Sequence, residues 1–173
     1  MATTITQLKP LETGADLKYP VIMKSVIPPE MYTFQGIIQD STELAIGDLA
    51  ILDTSGYLDA ATDAAVVMPV IILDTVHNKS VLEGHGTTPS KTAQFTADDV
   101  VDYALLIPGM IVSVKISYAG TDEADFLYGA RLKIGHTPTQ VEVSTLTHTK
   151  IGYALSDAVV GNTQKYTAMV VTG

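Results

Sequence analysis

One pattern occurs twice in this chain and limits the folds open to it. Gly47-Asp48-Leu49-Ala50-Ile51 leads into a turn, Tyr57-Leu58-Asp59-Ala60 returns, and Pro69-Val70-Ile71-Ile72-Leu73 ends at Asp74. Gly129-Ala130-Arg131-Leu132-Lys133-Ile134, then Val141-Glu142-Val143-Ser144, then Gly152-Tyr153-Ala154-Leu155-Ser156-Asp157 follow the same outline. In each copy a glycine precedes a strand, a tight turn reverses it, and a third apolar strand ends at an aspartate. Two such units can pair to close a barrel, which removes exposed sheet edges. The competing reading is shared hairpin grammar, because few residues are identical between the copies.

The remaining chain reads as short strands from Phe34 onward. Val66 to Leu73 is a β-branched run suited to a buried strand, and Tyr103 to Ile107 and Met110 to Tyr118 flank the turn Pro108-Gly109. Val112, Val114, Ile116 and Tyr118 alternate with Ser113, Lys115 and Ser117 at a clean period of two. Further strands are expected at Gln140 to Thr145, Lys150 to Ala154 and Lys165 to Val171, and one short helical turn at Ala97 to Asp102. The fold class that follows is all-β: a small β-barrel or β-sandwich-like domain, residues 36–173, with an extended N-terminal arm over residues 1–35.

The arm is read from its prolines. Pro10, Pro20, Pro28 and Pro29 break helices and central strands, while Leu8, Leu11, Tyr19, Val21, Ile22, Val26 and Ile27 are scattered between them. Free in water, those apolar residues would be poorly solvated. They are therefore the candidate interface residues, set on the domain itself or on a neighbouring subunit, with a partly disordered leader as the alternative. A polar stretch from Val76 to Thr96 reads as a long loop or insertion.

Composition restricts the partners. Charged residues are 17% of the 173, against roughly 25% in ordinary soluble domains, and 46% are hydrophobic, which suits a large, oligomeric interface. A net charge of -9, with Arg131 as the single arginine, argues against direct nucleic-acid binding, which needs cations to displace counterions from phosphate. The apolar run Ala64 to Leu73 is far short of the roughly 20 residues of a membrane helix. The opening MATTITQLKP has neither the basic head nor the apolar core of a signal peptide, so assembly inside a cell is expected. No cysteine is present, which rules out disulfides, thiolate zinc sites and a cysteine nucleophile.

Catalytic chemistry finds no footing in the motifs. Asp53-Thr54-Ser55-Gly56 approaches the aspartic-protease loop, but its glycine comes one residue late and the second loop that would share a proton is missing. At the matching place in the second copy stands Gly135-His136-Thr137-Pro138, which makes the segment a turn built from residues that favour turns. Asp48, Asp53, Asp59 and Asp63 do not fit a calcium loop, and His77, His85, His136 and His148 lack metal-ligand spacing. Lys79-Ser80 and Lys91-Thr92 lack the glycines of a phosphate cradle, and the nucleophile elbow and dinucleotide fingerprint are absent. The expectation is a protein that is not an enzyme and takes no cofactor or metal. Its eight tyrosines serve core and interface packing.

Gly47-Asp48-Leu49-Ala50-Ile51-Leu52-Asp53-Thr54-Ser55-Gly56-Tyr57-Leu58, then Pro108-Gly109-Met110-Ile111-Val112, Tyr128-Gly129-Ala130-Arg131-Leu132 and Lys150-Ile151-Gly152-Tyr153-Ala154-Leu155 resemble the head decoration, or capsid cement, proteins of tailed bacteriophages. The resemblance covers roughly residues 36 to 172. It departs at Ala130, where that family commonly carries an acid, and in the Val76 to Thr96 stretch. The resemblance implies a virion structural protein on the outer surface of the capsid, assembled in the host cytoplasm. It would be a homo-oligomer, often a trimer, that stabilises the icosahedral shell by bridging subunits of the major capsid protein. Other readings stay open: a different virion β-domain from a tail or fibre, or a small-ligand-binding β-barrel module, since a fold alone does not set function.

Overall fold

The computed structural model describes residues 21–62, 69–117, 129–144, 150–155 and 165–172. The protein is all-β. After β1 (Ile22–Lys24) and a 3-10 turn at Pro29–Met31, the chain enters β2 (Thr33–Ile37), β3 (Leu44–Ala45), β4 (Leu49–Leu52), β5 (Leu58–Ala60) and β6 (Pro69–Ile72). Helix α1 (Val76–Gly84), β7 (Gln94–Phe95) and β8 (Val100–Leu105) follow. The second half holds β9 (Ile111–Ile116), β10 (Arg131–Ile134), β11 (Val141–Val143), β12 (Gly152–Ala154) and β13 (Lys165–Val171).

These strands make two small barrels of the same topology. In the first, the order is β2-β8-β6-β4-β5, and a parallel bridge between Ile38 and Leu58 returns the ring to its start. In the second, β9-β13-β12-β10-β11 closes through the parallel pair Val141 and Ile116. In each ring the first strand meets the last antiparallel, and the second and third form a hairpin.

Individual hydrogen bonds repeat as well. Gly47 N–H donates to the Ile72 carbonyl at 2.8 Å, and Gly129 N–H to the Ala154 carbonyl at 2.8 Å. Ile72 N–H returns to Asp48 at 3.0 Å, and Ala154 N–H to Ala130 at 2.9 Å. Gln39 N–H meets the Leu58 carbonyl at 2.9 Å, and Ser117 N–H the Val141 carbonyl at 2.7 Å. Gly47 and Gly129 both adopt positive φ, 82° and 84°, a conformation that side-chain-bearing residues rarely take. The repeated outline in the sequence is thus a repeated fold, and hairpin grammar alone does not account for it.

The barrels share one core. Leu49, Leu58, Ile71 and Val101 of the first and Val112, Val114, Leu132 and Val141 of the second belong to a single buried cluster. Ser113 and Lys115, on the polar side of β9, are buried too, because that side faces the first barrel at Asp48 and the segment carrying Lys91.

Several expectations need adjusting. The Val76 to Thr96 stretch opens with a helix where a loop was expected: Thr75 caps it, its hydroxyl accepting from Asn78 N–H at 3.2 Å. Asn78 is fully buried, donating to the Leu73 and Asp102 carbonyls at 2.8 and 2.9 Å and accepting from Asp102 N–H at 2.7 Å, so it binds α1 to β6 and β8. No helical turn forms at Ala97 to Asp102. Thr96 N–H donates to the Asp99 carboxylate at 2.8 Å in a tight turn, and Val100 already belongs to β8. The boundary at residue 35 falls inside β2, which is a full member of the first barrel. Of the arm expected over residues 1–35, residues 1–20 lie outside the described residues, and residues 21–35 hold β1, the bends and 3-10 turn that follow it, and the start of β2.

Candidate interaction surface

Four of the candidate interface residues are in view, and their own domain takes up most of them. Val21 is fully buried; its N–H donates to Asp74 Oδ1 at 3.2 Å and its carbonyl accepts from Ser113 N–H at 2.9 Å. Ile22 pairs with Val112 across β1 and β9, and Ile22 and Ile27 pack half-buried against the core. Only Val26, 76% exposed, is left open to a partner. Leu8, Leu11 and Tyr19 lie outside the described residues.

Further exposed apolar side chains lie on and beside β2, on both of its faces, and none of them was among the candidate interface residues. Met31 is 66% exposed, and Phe34, Ile37 and Val100 are each about two-fifths exposed. Ile37 sits opposite Val100 across the β2–β8 ladder, and Phe34 lies 5.9 Å, ring to ring, from Tyr103. His77 Nε2 is 3.0 Å from the Val100 carbonyl, which brings the start of α1, with the exposed Val76, to the same region. Apolar side chains left open on a sheet and the adjoining helix mark a contact surface.

Between the barrels the chemistry is closed to solvent. Lys115 pairs with Asp48, whose other oxygen accepts from Ala45 N–H at 2.8 Å. Lys91 donates to Ser113 Oγ at 2.8 Å and lies 4.4 Å from the centre of the Tyr166 ring. Burial pushes the Asp48 carboxyl up despite the attraction of Lys115, and lowers the Lys91 ammonium to about 8 against the pull of Asp74. Burial, with the nearby Asp48 charge, also holds the Tyr166 phenol well above its ordinary value. Perturbed groups of this kind mark catalytic sites when a cleft serves them. These residues instead fill a packed seam, where they join the barrels. The alternation of Ser113 and Lys115 with valines was visible in the sequence, but not that both sides of β9 would be covered.

The Asp53 segment is a turn. Asp53 Oδ1 accepts from the N–H groups of Ser55 and Tyr57, each at 2.8 Å, and Gly56 takes φ 86°. Asp53 N–H bonds the Tyr57 carbonyl at 2.8 Å, and Gly135 N–H bonds that of Gln140 at 2.7 Å, so a hairpin turn stands at the same place in each repeat, the second one residue longer. An open groove here is lined by Gln39, Asp40, Asp53, Ser55, Tyr57 and Asp98. Its carboxylate at Asp53 is already engaged by backbone donors, and no base stands beside Ser55 among the interactions of the described residues.

The histidines are apart from one another. His85 sits 3.2 Å from Asp99, His77 meets the Val100 carbonyl, and His136 N–H donates to Glu142, itself paired with Lys133 at 2.6 Å. His148 lies outside the described residues. Among the described residues no three His, Cys, Asp or Glu side chains gather as a metal site, and no helix is long and apolar enough to cross a membrane. No known family model matches the chain, and no curated protein matches it.

Proposed function

We propose that this protein is a virion structural protein of the capsid decoration kind, which binds the outside of an icosahedral head and stabilises it by bridging major capsid subunits. The observation that carries the reading is the exposed apolar group of Ile37, Val100 and Val76 where β2, β8 and the start of α1 meet, with Phe34 and Met31 exposed on and beside β2. A chain whose titratable cluster is sealed in a seam, and which leaves several large apolar side chains open, is suited to contact rather than turnover. The motif resemblance supplies the class of partner, and the net charge of -9 turns the protein away from nucleic acid.

In this reading the protein works as a homo-oligomer, a trimer in the form the resemblance implies, with no cofactor. Each copy adds a modest contact, and several contacts tied together in one oligomer multiply into a large gain in shell stability. The test is the heat resistance of purified heads that lack the protein, with and without its addition. Heads that rupture at a clearly higher temperature when it is present support the proposal, and an unchanged rupture temperature at saturating protein contradicts it.

A further inference from the structure

The two barrels differ at one matched place. On β9, the bond Val171 N–H to the Met110 carbonyl and the ladder to β13 turn alternate backbone groups toward β13, leaving those of Ser113 and Ser117 pointing to the opposite edge. That edge is occupied. Ser113 N–H meets the Val21 carbonyl at the start of β1, and Ser117 N–H meets Val141 of β11.

On β2 the same alternation holds. Leu105 N–H to Tyr32 and Ile38 N–H to Asp99 set which groups face β8. Gln35 lies opposite Asp102, whose own N–H goes to Asn78 and whose carbonyl accepts from Leu73, so the Gln35 backbone faces away from β8. Gln39 N–H meets Leu58, as Ser117 meets Val141. Gln35, the counterpart of Ser113, has no backbone partner among the described residues. The slot that β1 fills on the second barrel holds no strand on the first among the described residues, and Met31 and Phe34 are exposed nearby.

We propose that the edge of β2 at Thr33–Ile37, unpaired among the described residues, receives an added strand, residues 3–8 (Thr-Thr-Ile-Thr-Gln-Leu) of a second copy of this chain. Strand addition draws affinity from backbone hydrogen bonds and specificity from alternate side chains. The occupant is argued from three facts. The matched slot is filled by Val21–Lys24, a short apolar strand of this same chain. Twenty residues precede Val21 in the sequence, including a β-branched run, and residues 9–20 can span up to about 40 Å when extended. Charge is sparse, at 17%, and Thr33–Ile37 itself carries none while exposing Phe34 and Ile37, with Met31 exposed just before it, which suits a self-associating surface. Each copy then gives one strand and accepts one, which closes into a ring.

The chain has no cysteine, so introduced pairs report cleanly. Chains carrying Thr33→Cys under one tag are co-expressed with chains carrying Thr4→Cys, Ile5→Cys or Thr6→Cys under another, and mixed disulfides are read on non-reducing gels. The mass of the full chain and of Gln35→Pro is measured by light scattering; proline removes only the outward N–H and is tolerated on an edge strand. The expected result is a mixed disulfide for at least one pair, an oligomeric parent and a monomeric Gln35→Pro chain. If Gln35→Pro does not fold, the disulfide result alone decides. No mixed disulfide at any position overturns the proposal, as does an oligomer that Gln35→Pro leaves intact.

Discussion

Asp48 of the first barrel and Lys115 of the second form an ion pair inside the seam, each with less than a tenth of its side chain exposed. Removing one partner of such a pair leaves a buried charge without compensation, which costs about 3–5 kcal/mol, whereas an apolar pair of similar volume is close to neutral. Asp48→Ala should therefore lose most of the stability of a small domain in urea denaturation, and Asp48→Leu with Lys115→Met should recover most of it. Ala130, at the matching place in the second barrel, shows that the fold itself does not need an acid there.

Lys91 should make stability depend on pH. Its folded value of about 8 lies below the ordinary 10.5, so between these the unfolded chain holds a proton that the folded chain has released. Stability then rises as pH climbs above about 8, and below about 8 the full cost of burying the ammonium is present. Tyr166, shifted upward, contributes the opposite slope above its ordinary 10.0. Melting temperatures followed from about pH 7 to about pH 9.5 should rise, net of the slope of a Lys91→Met variant, which lacks this contribution.

Two glycines of the second barrel should respond differently to alanine. At Gly152 a Cβ would run into the Val170 carbonyl oxygen and the Met169 side chain of β13, and strand backbone cannot yield. At Gly129 the space is open and only the positive φ resists. Gly129→Ala should cost roughly 1–2 kcal/mol. Gly152→Ala should cost about 3 kcal/mol or more, with loss of soluble protein, because overpacking meets main chain. Denaturant melts of the two purified variants check the order.

Asp53 should matter to folding alone. Asp53→Ala removes an acceptor from two backbone N–H groups in an exposed turn and should lower stability by about 1 kcal/mol. Asp53→Asn keeps the acceptor and should sit within about half of that in the same thermal melt.

Much of this fold can be read from residue order, because strand period, turn residues and the repeated glycine are local features. Asp53-Thr54-Ser55-Gly56 is legible as a turn because its partner in the repeat carries other residues at the same place. The long-range arrangement is less legible. Ser113 and Lys115 look solvent-facing in a strand that alternates, and only the packing of one barrel on the other buries them. Helix α1 was missed because His77, Asn78 and Ser80 are weak helix formers; its stability comes from the Thr75 cap and from Asn78 reaching β6 and β8. Val21 reads as an arm residue among prolines, yet it is core. Removing residues 1–27 would therefore strip β1 along with the arm, and a clean truncation stops before Val21.

The proposed capsid role is tested most directly by cosedimentation of the purified protein with expanded and unexpanded tailed-phage heads, both prepared without the protein. Saturable binding to expanded heads alone, at a fixed number of copies per shell, is the result this account predicts. Failure to sediment with either form of the head would contradict it.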